Sequence, residues 1–256
     1  MKVSIENETI HYFFNSNQGI YLNDLIGKQV SLIWDGSIFC QSCFSSIKKT
    51  FGEGFCFKCF SSAPEATECT IRPELCRAHL GEGRNVEWEE KNHNQPHIVY
   101  LAASDKVKVG VTRLTQVPTR WIDQGASKAI FLAETPNRYE AGILEVALKE
   151  YFSDKTNWQR MLKNEIDESI DLVDEKWTLY ESLPEDLKVY FSENDDVTIL
   201  DYPVINFPSK IKSLSFDKAN VIEGLLTGIK GQYLIFQDGK VLNIRKHTGY
   251  SIQIEY

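Results

Sequence analysis

Four cysteines stand in a C-x2-C-x12-C-x2-C array, Cys40, Cys43, Cys56 and Cys59, and two paired knuckles at that separation can close a tetrahedron of thiolates around one zinc ion. Each pair sits in a tight turn that aims both sulfurs at one point. Phe55, Phe57 and Phe60 flank the second knuckle, and Gly52 and Gly54 precede it. A unit this small has little core of its own, so the metal and these rings must supply much of its folding energy. The alternative, free or disulfide-bonded thiols, runs against the reducing compartment expected below.

Two further cysteines lie in Glu68-Cys-Thr-Ile-Arg-Pro-Glu-Leu-Cys-Arg-Ala-His79. Cys76-x2-His79 has ligand spacing, whereas Cys69-x6-Cys76 is longer than a usual knuckle. A metal held by Cys69, Cys76 and His79 needs a fourth ligand, which the fold could bring from His93 or His97. The other reading is two buried thiols packing as small hydrophobes near the first site.

Apolar residues make up 42% of the 256-residue chain and charged residues 25%, the composition of one large or two modest soluble domains. No apolar run approaches the ~20 residues of a membrane span, and Glu6 and Glu8 stand where a signal peptide needs a basic end and an apolar stretch. A cytoplasmic location, with thiols kept available for metal and no membrane partner, is expected. The net charge of -8 is unevenly spread: residues 1–96 carry -3, 97–163 carry +3, 164–201 carry -11 and 202–256 carry +3. The acidity belongs to one segment, so it does not exclude a polyanionic ligand elsewhere.

These features predict an α+β protein in four parts. Residues 1–96 form a zinc-binding β region and 97–163 a small α/β domain; 164–202 form an acidic helical connector and 203–256 a C-terminal β region. Gln29 to Trp34, turning at Asp35-Gly36 into Ser37 to Phe39, reads as a hairpin, as does Gly231 to Ile244 around Asp238-Gly239. Their similar texture suggests that the two share one β layer; the alternative is that any Asp-Gly hairpin looks alike. Ile98 to Leu101 and Val107 to Val111 read as a second strand pair. Two helices follow, from about Pro118 to Gly125 and from Asn137 to Phe152, the latter with Leu144, Ala147, Leu148 and Tyr151 on one face.

Within 98–157 the order Ile98-Val-Tyr100, Lys108-Val-Gly110, Arg120, Glu145, Asn157 resembles the GIY-YIG nuclease domain, the small α/β fold of nucleotide-excision repair nucleases and homing endonucleases. The resemblance implies that Tyr100 positions or activates a water and that Arg120 holds the scissile phosphate. It also implies that Glu145 anchors one magnesium or manganese ion, with Asn157 trailing the helix. Such a site needs little more, because magnesium binds through one carboxylate plus phosphate oxygens and waters, and an arginine fork offsets developing charge. The departures are Ile98 in place of the first motif's glycine, Lys108 in place of the second motif's tyrosine, and a short linking hairpin. Lys108 with a depressed pKa would serve as a base or hold phosphate; a strand lysine is otherwise simply solvated. Glu145, one residue past Leu144, falls at the edge of the apolar face, the place of a cleft residue or of a surface carboxylate.

The whole chain is similar to an uncharacterised bacterial family of unknown function that joins a cysteine array to a segment of this kind. The residues concerned are the cysteine array, Pro73-Glu-Leu-Cys76, Lys108 to Arg113, Arg120 to Gly125, and Ile244-Arg-Lys-His-Thr-Gly-Tyr250. Arg113, Trp121, Arg245, Lys246, His247 and Tyr250 combine basic and aromatic side chains that suit phosphate contact and base stacking. The leading functional expectation is a zinc-stabilised nuclease acting on DNA or RNA. A catalytically inactive nucleic-acid-binding module and a protein-interaction scaffold using the acidic helices are the alternatives.

Overall fold

The computed structural model describes residues 1–14, 19–152 and 157–256. The chain begins with a three-stranded antiparallel sheet, β1 (Lys2–Glu6), β2 (Thr9–Phe14) and β3 (Ile20–Tyr21). Strand β4 (Gln29–Ile38) follows, then a stretch of short turns that carries all six cysteines and two helices, α1 (Phe57–Ser62) and α2 (Val86–His93).

The Asp35-Gly36 hairpin expected from sequence is instead a bulge inside β4. Gly36 takes φ +90, and the pairing with the last strand jumps from Trp34 opposite Ile252 to Ile38 opposite Tyr250. Asp35 holds the bulge by accepting from the Ser37 amide at 2.7 Å and from the Ser251 hydroxyl at 2.7 Å. An Asp-Gly pair supplies the positive φ that either feature needs, and only the partner strand decides between them.

The middle of the chain runs β5 (His97–Ala103), β6 (Val107–Arg113), α3 (Thr119–Asp123), β7 (Lys128–Thr135) and α4 (Arg138–Leu148). The antiparallel sheet has the order β6-β5-β7. Strand β7 is absent from the sequence reading because its apolar residues do not alternate; Ala129, Ile130, Leu132 and Ala133 are all buried, on both faces. The Asn137 side chain caps α4 by accepting from the Glu140 amide at 3.0 Å. Ala141, Leu144 and Leu148 form the buried stripe of α4, and a single 3-10 turn replaces the helix expected as far as Phe152.

Next come α5 (Trp158–Leu162), α6 (Leu172–Ser182), α7 (Glu185–Lys188) and β8 (Thr198–Ile199), which adds to β7. The acidic segment is helical only from Leu172, after an Asp171 cap. It buries Leu172, Leu179, Leu183 and Leu187 in one core with Val99, Leu101, Leu144 and Leu148.

The C-terminal strands are β9 (Lys212–Leu214), β10 (Val221–Lys230), β11 (Tyr233–Phe236), β12 (Lys240–Asn243) and β13 (Tyr250–Glu255). Asp238 (φ 61) and Gly239 (φ 71) make the expected turn between β11 and β12. The sheet order is β13-β4-β10-β11-β12-β9, so the N-terminal strand lies inside the C-terminal layer. Strand β5 is buried along its whole length. Ile98, Tyr100 and Ala102 face a core shared with Val30, Leu32, Ile222 and Phe236, while Val99, Leu101 and Ala103 face the core under α4 and α6. The fold is mixed α+β, with cysteine clusters following the N-terminal strands and β-hairpins at the C-terminus.

Candidate metal centres and an adjoining cleft

The sulfurs of Cys40, Cys43, Cys56 and Cys59 all lie within 4.8 Å of one another. Cys40 ends a short bridge in which Phe39 pairs with Ser46, and the second knuckle follows the Phe51–Phe55 bridge, whose turn needs Gly52 (φ +55) and Gly54 (φ +98). A Cβ on Gly54 would stand 2.7 Å from the Gln41 side chain and 2.9 Å from Thr248. Backbone amides already point at sulfur: the Cys56 N–H donates to Cys40 Sγ at 3.2 Å, and the Cys59 N–H to Cys56 Sγ at 3.3 Å. Burial raises the Cys40 thiol, but the amides of Cys43, Cys56 and Ser42 outweigh it and bring it down to about 6. The Cys56 sulfur pushes Cys59 up to about 12. Thiols so close lose their protons together when a cation neutralises them.

A second cluster joins Cys69, Cys76, Glu89 and His93, again with ligand atoms within 4.8 Å and all four residues buried. Glu89 and His93 are i,i+4 on α2 and therefore share one face. His93 Nδ1 lies 2.5 Å from Glu89 Oε2 and 3.7 Å from Cys69 Sγ. Gly83 makes room for the carboxylate, since a Cβ there would stand 2.5 Å from Glu89 Cγ. The other carboxylate oxygen, Glu89 Oε1, is buried without a hydrogen-bond partner. The neighbouring Cys76 thiol lowers the pKa of Cys69, and Cys69 in turn raises that of Cys76.

This corrects the ligand set expected around His79. Its ring stacks on Tyr139 at 4.5 Å and lies outside the cluster, because the 3-10 turn Ala78–Leu80 directs it onto α4 instead. His97, the other fourth ligand considered, is buried on β5 with Nδ1 2.7 Å from the Gln95 carbonyl.

Beside the second cluster lies a cleft of about 270 Å³ lined by Lys108, Gly110, Arg120, Gln124, Arg138, Glu145 and Lys149, with Thr70, Ile71 and Pro73 among its other walls. Lys108, Arg120 and Glu145, drawn from β6, α3 and α4, therefore share one concavity. Tyr100 sits directly behind it. It pairs with Gly110 across β5 and β6, and its ring lies where a Gly110 Cβ would be, 2.6 Å from both Cζ and the hydroxyl. The hydroxyl donates to Gln124 Oε1 at 3.0 Å. Burial raises the Tyr100 pKa; the Arg120 charge and hydrogen bonding from Arg120 and Gln124 oppose it, and Glu145 adds to it. Among the described residues, the lining places the cations Lys108, Arg120, Arg138 and Lys149 around one carboxylate, Glu145, a field suited to an anion with several negative oxygens.

Asn157 does not reach this cleft. It caps α5, its side chain accepting from the Gln159 and Arg160 amides at 3.1 and 3.3 Å. The other residues expected to contact nucleic acid are also dispersed. Trp121 is core, 3% exposed and edge-on to Tyr100, and His247 is buried with Nε2 accepting from the Phe216 amide at 3.2 Å. Neither ring has a free face for a base, which corrects the stacking role. Arg113 bonds Asn92, Arg245 pairs with Glu53 at 2.7 Å, and the Tyr250 hydroxyl donates to Asp217 at 2.8 Å; Lys246 is exposed. Sequence reading missed Glu89 and Arg138. The Glu-x3-His spacing, which puts both side chains on one face if the segment is helical, was the available signal for the first, while nothing local marked the second.

Fold and clusters define a mixed α+β protein whose cysteine, histidine and glutamate groupings can chelate metal. Residues 27–252 match the family described as "Protein of unknown function (DUF2797)", and the chain belongs to that family. No curated protein and no solved structure matches it. Among the described residues no helix is long and apolar enough to cross a membrane.

Proposed function

We propose that the protein is a zinc-stabilised nucleic-acid-acting protein whose cleft handles phosphodiesters in the manner of a GIY-YIG nuclease. The observation that carries the reading is the meeting of Lys108, Arg120 and Glu145 in one cleft in front of Tyr100. Zinc is the metal proposed for the four-cysteine site. Zn–S bonds of about 2.3 Å put tetrahedral sulfurs about 3.8 Å apart, and Cys43 and Cys56 already stand at 3.9 Å.

In the cleft, Arg120 and Arg138 would hold phosphate oxygens through charge-assisted bonds, and Lys108 and Lys149 would add point charges. Glu145 is the carboxylate fitted to hold a magnesium or manganese ion, which when bound supplies Lewis-acid stabilisation of the phosphate. Tyr100, buried behind the lining and bonded to Gln124, would act through Gln124, which lines the cleft, rather than on a water directly. That same burial, with Lys108 in the second tyrosine's place, supports a second reading: a module that binds nucleic acid without cutting it.

The test is a screen of single-stranded, duplex and branched DNA and of RNA with both metals. Glu145→Gln is expected to stop cleavage while binding survives, and Arg120→Ala to slow it by about 10²–10³-fold. Lys108→Tyr separates the roles of Lys108, raising activity if the lysine is a weak substitute and abolishing it if the lysine is the base. Salt-dependent binding without Glu145-dependent cleavage leaves the binding module. No salt-dependent binding to any of them sinks both readings.

A further inference from the structure

The cleft and the second cluster share a wall. The segment between Cys69 and Cys76 contributes Thr70, Ile71 and Pro73 to the cleft, and its backbone is locked to α4 in two ways. Arg138 donates from Nε to the Cys69 carbonyl and from Nη2 to the Thr70 carbonyl, both at 2.8 Å. One turn further along α4, Gly142 lets the Pro73-Glu74 backbone lie directly on the helix; a Cβ there would press on Pro73 and stand 2.7 Å from Glu74 Cα.

We infer that a buried zinc ion at Cys69, Cys76, Glu89 and His93 is the brace that seats Arg138 in the cleft. The donor set, two thiolates, an imidazole and a carboxylate, suits zinc over calcium or magnesium. The unpartnered Glu89 Oε1, sealed from solvent in this cluster, is the independent sign: a buried carboxylate oxygen without a donor is costly, and a cation satisfies it. On binding, each thiol releases its proton to solvent and the metal takes the charge. The ion then ties α2 to the loop, the loop holds Arg138 by two carbonyls, and the remaining guanidinium N–H groups are left for the cleft. Apart from the two contacts with α4, these short 3-10 turns bury only Cys69 and Pro73 of their own residues, so a metal held by Cys69 and Cys76 adds the fixed point on the side facing α2.

The metal site stands whatever the cleft binds; the part concerning anions rests on the proposed function. Metal analysis of the full chain purified without chelator is expected to give roughly two equivalents of zinc, falling to roughly one in Cys56→Ser and roughly one in His93→Ala. Cobalt exchanged into Cys56→Ser should still show thiolate-to-metal charge transfer, and lose it when Cys69→Ser is added. Hydrogen exchange then tests the brace without any ligand: in Glu89→Gln, protection should fall at least about tenfold both in 69–76 and in the first turns of α4. A single zinc that Cys56→Ser removes completely overturns the second site. Two zincs with α4 protection unchanged in Glu89→Gln overturn the brace. If both hold, weakened binding of a single-stranded oligonucleotide by Glu89→Gln extends them to the cleft. Undiminished binding shows that Arg138 does not act on the anion.

Discussion

Gly142→Ala sets two physical effects against each other, and the structure decides the sign. In an isolated helix the change is favourable by about 1 kcal/mol, since alanine costs less backbone entropy than glycine. Gly142 is inside α4 and fully helical, so this gain applies in full. Opposing it, the new Cβ meets backbone atoms of Pro73 and Glu74, and no rotamer can move them away. Overpacking of this kind costs typically about 1–3 kcal/mol, and contact with backbone belongs at the upper end. The net expectation is a destabilisation of about 2 kcal/mol, or roughly 4–8 °C in the unfolding midpoint of a chain this long. Circular dichroism melts, with zinc content measured on the same preparation, provide the assay. A midpoint equal to or above that of the parent would show that propensity wins, and would refute the close seating of the 69–76 loop on α4.

Gly110→Ala pushes a methyl group into the Tyr100 phenol and should cost about 1–3 kcal/mol in a chemical denaturation curve; a neutral change would mean that the ring does not cross β6 there. Lys230 is 1% exposed, 2.7 Å from Asn164 Oδ1, and burial lowers its pKa to about 8. The folded value lies below the unfolded one, so the unfolded state binds more protons between them and stability rises with pH from about 8 to about 10.5. Lys230→Met should therefore stabilise the protein by about 1–3 kcal/mol near pH 7, with the gain shrinking above pH 8. A gain that does not change with pH would count against the buried cation.

Much of the candidate chemistry is legible in spacing because it is local. Cys40, Cys43, Cys56 and Cys59 fall within one short stretch and need only two turns to converge. Lys108, Arg120 and Glu145 belong to β6, α3 and α4 of one small sheet-and-helix unit, so the topology leaves them few places to go. The rest depends on distant partners. Glu89 and His93 sit on a helix where acidic residues are ordinarily solvated, and only the 69–76 loop packed over them turns the pair into ligands. Arg138 reads as a first-turn helix residue until Cys69 and Thr70 present their carbonyls. The bulge at Gly36 has the sequence of a turn, and β13, which makes it a bulge, lies at the other end of the chain. Buried strands such as β7 lose their alternation to a second core, which no window of β7 itself contains.

The position of β4 between β10 and β13 has a temporal consequence. As the chain is synthesised, β4 emerges early with both edges open, and its first long partner, β10, begins only at Val221. At about 5–20 residues per second that wait lasts roughly ten seconds or longer. The four-cysteine unit just after β4 can close at once, because its ligands are neighbours in the chain. The six-stranded sheet must instead wait for a loop closure spanning most of the polypeptide. A ribosome stalled before Val221 therefore displays a ten-residue strand carrying Val30, Leu32, Ile33, Trp34 and Ile38 with two unpaired edges, the kind of segment that other nascent chains and chaperones compete to cover.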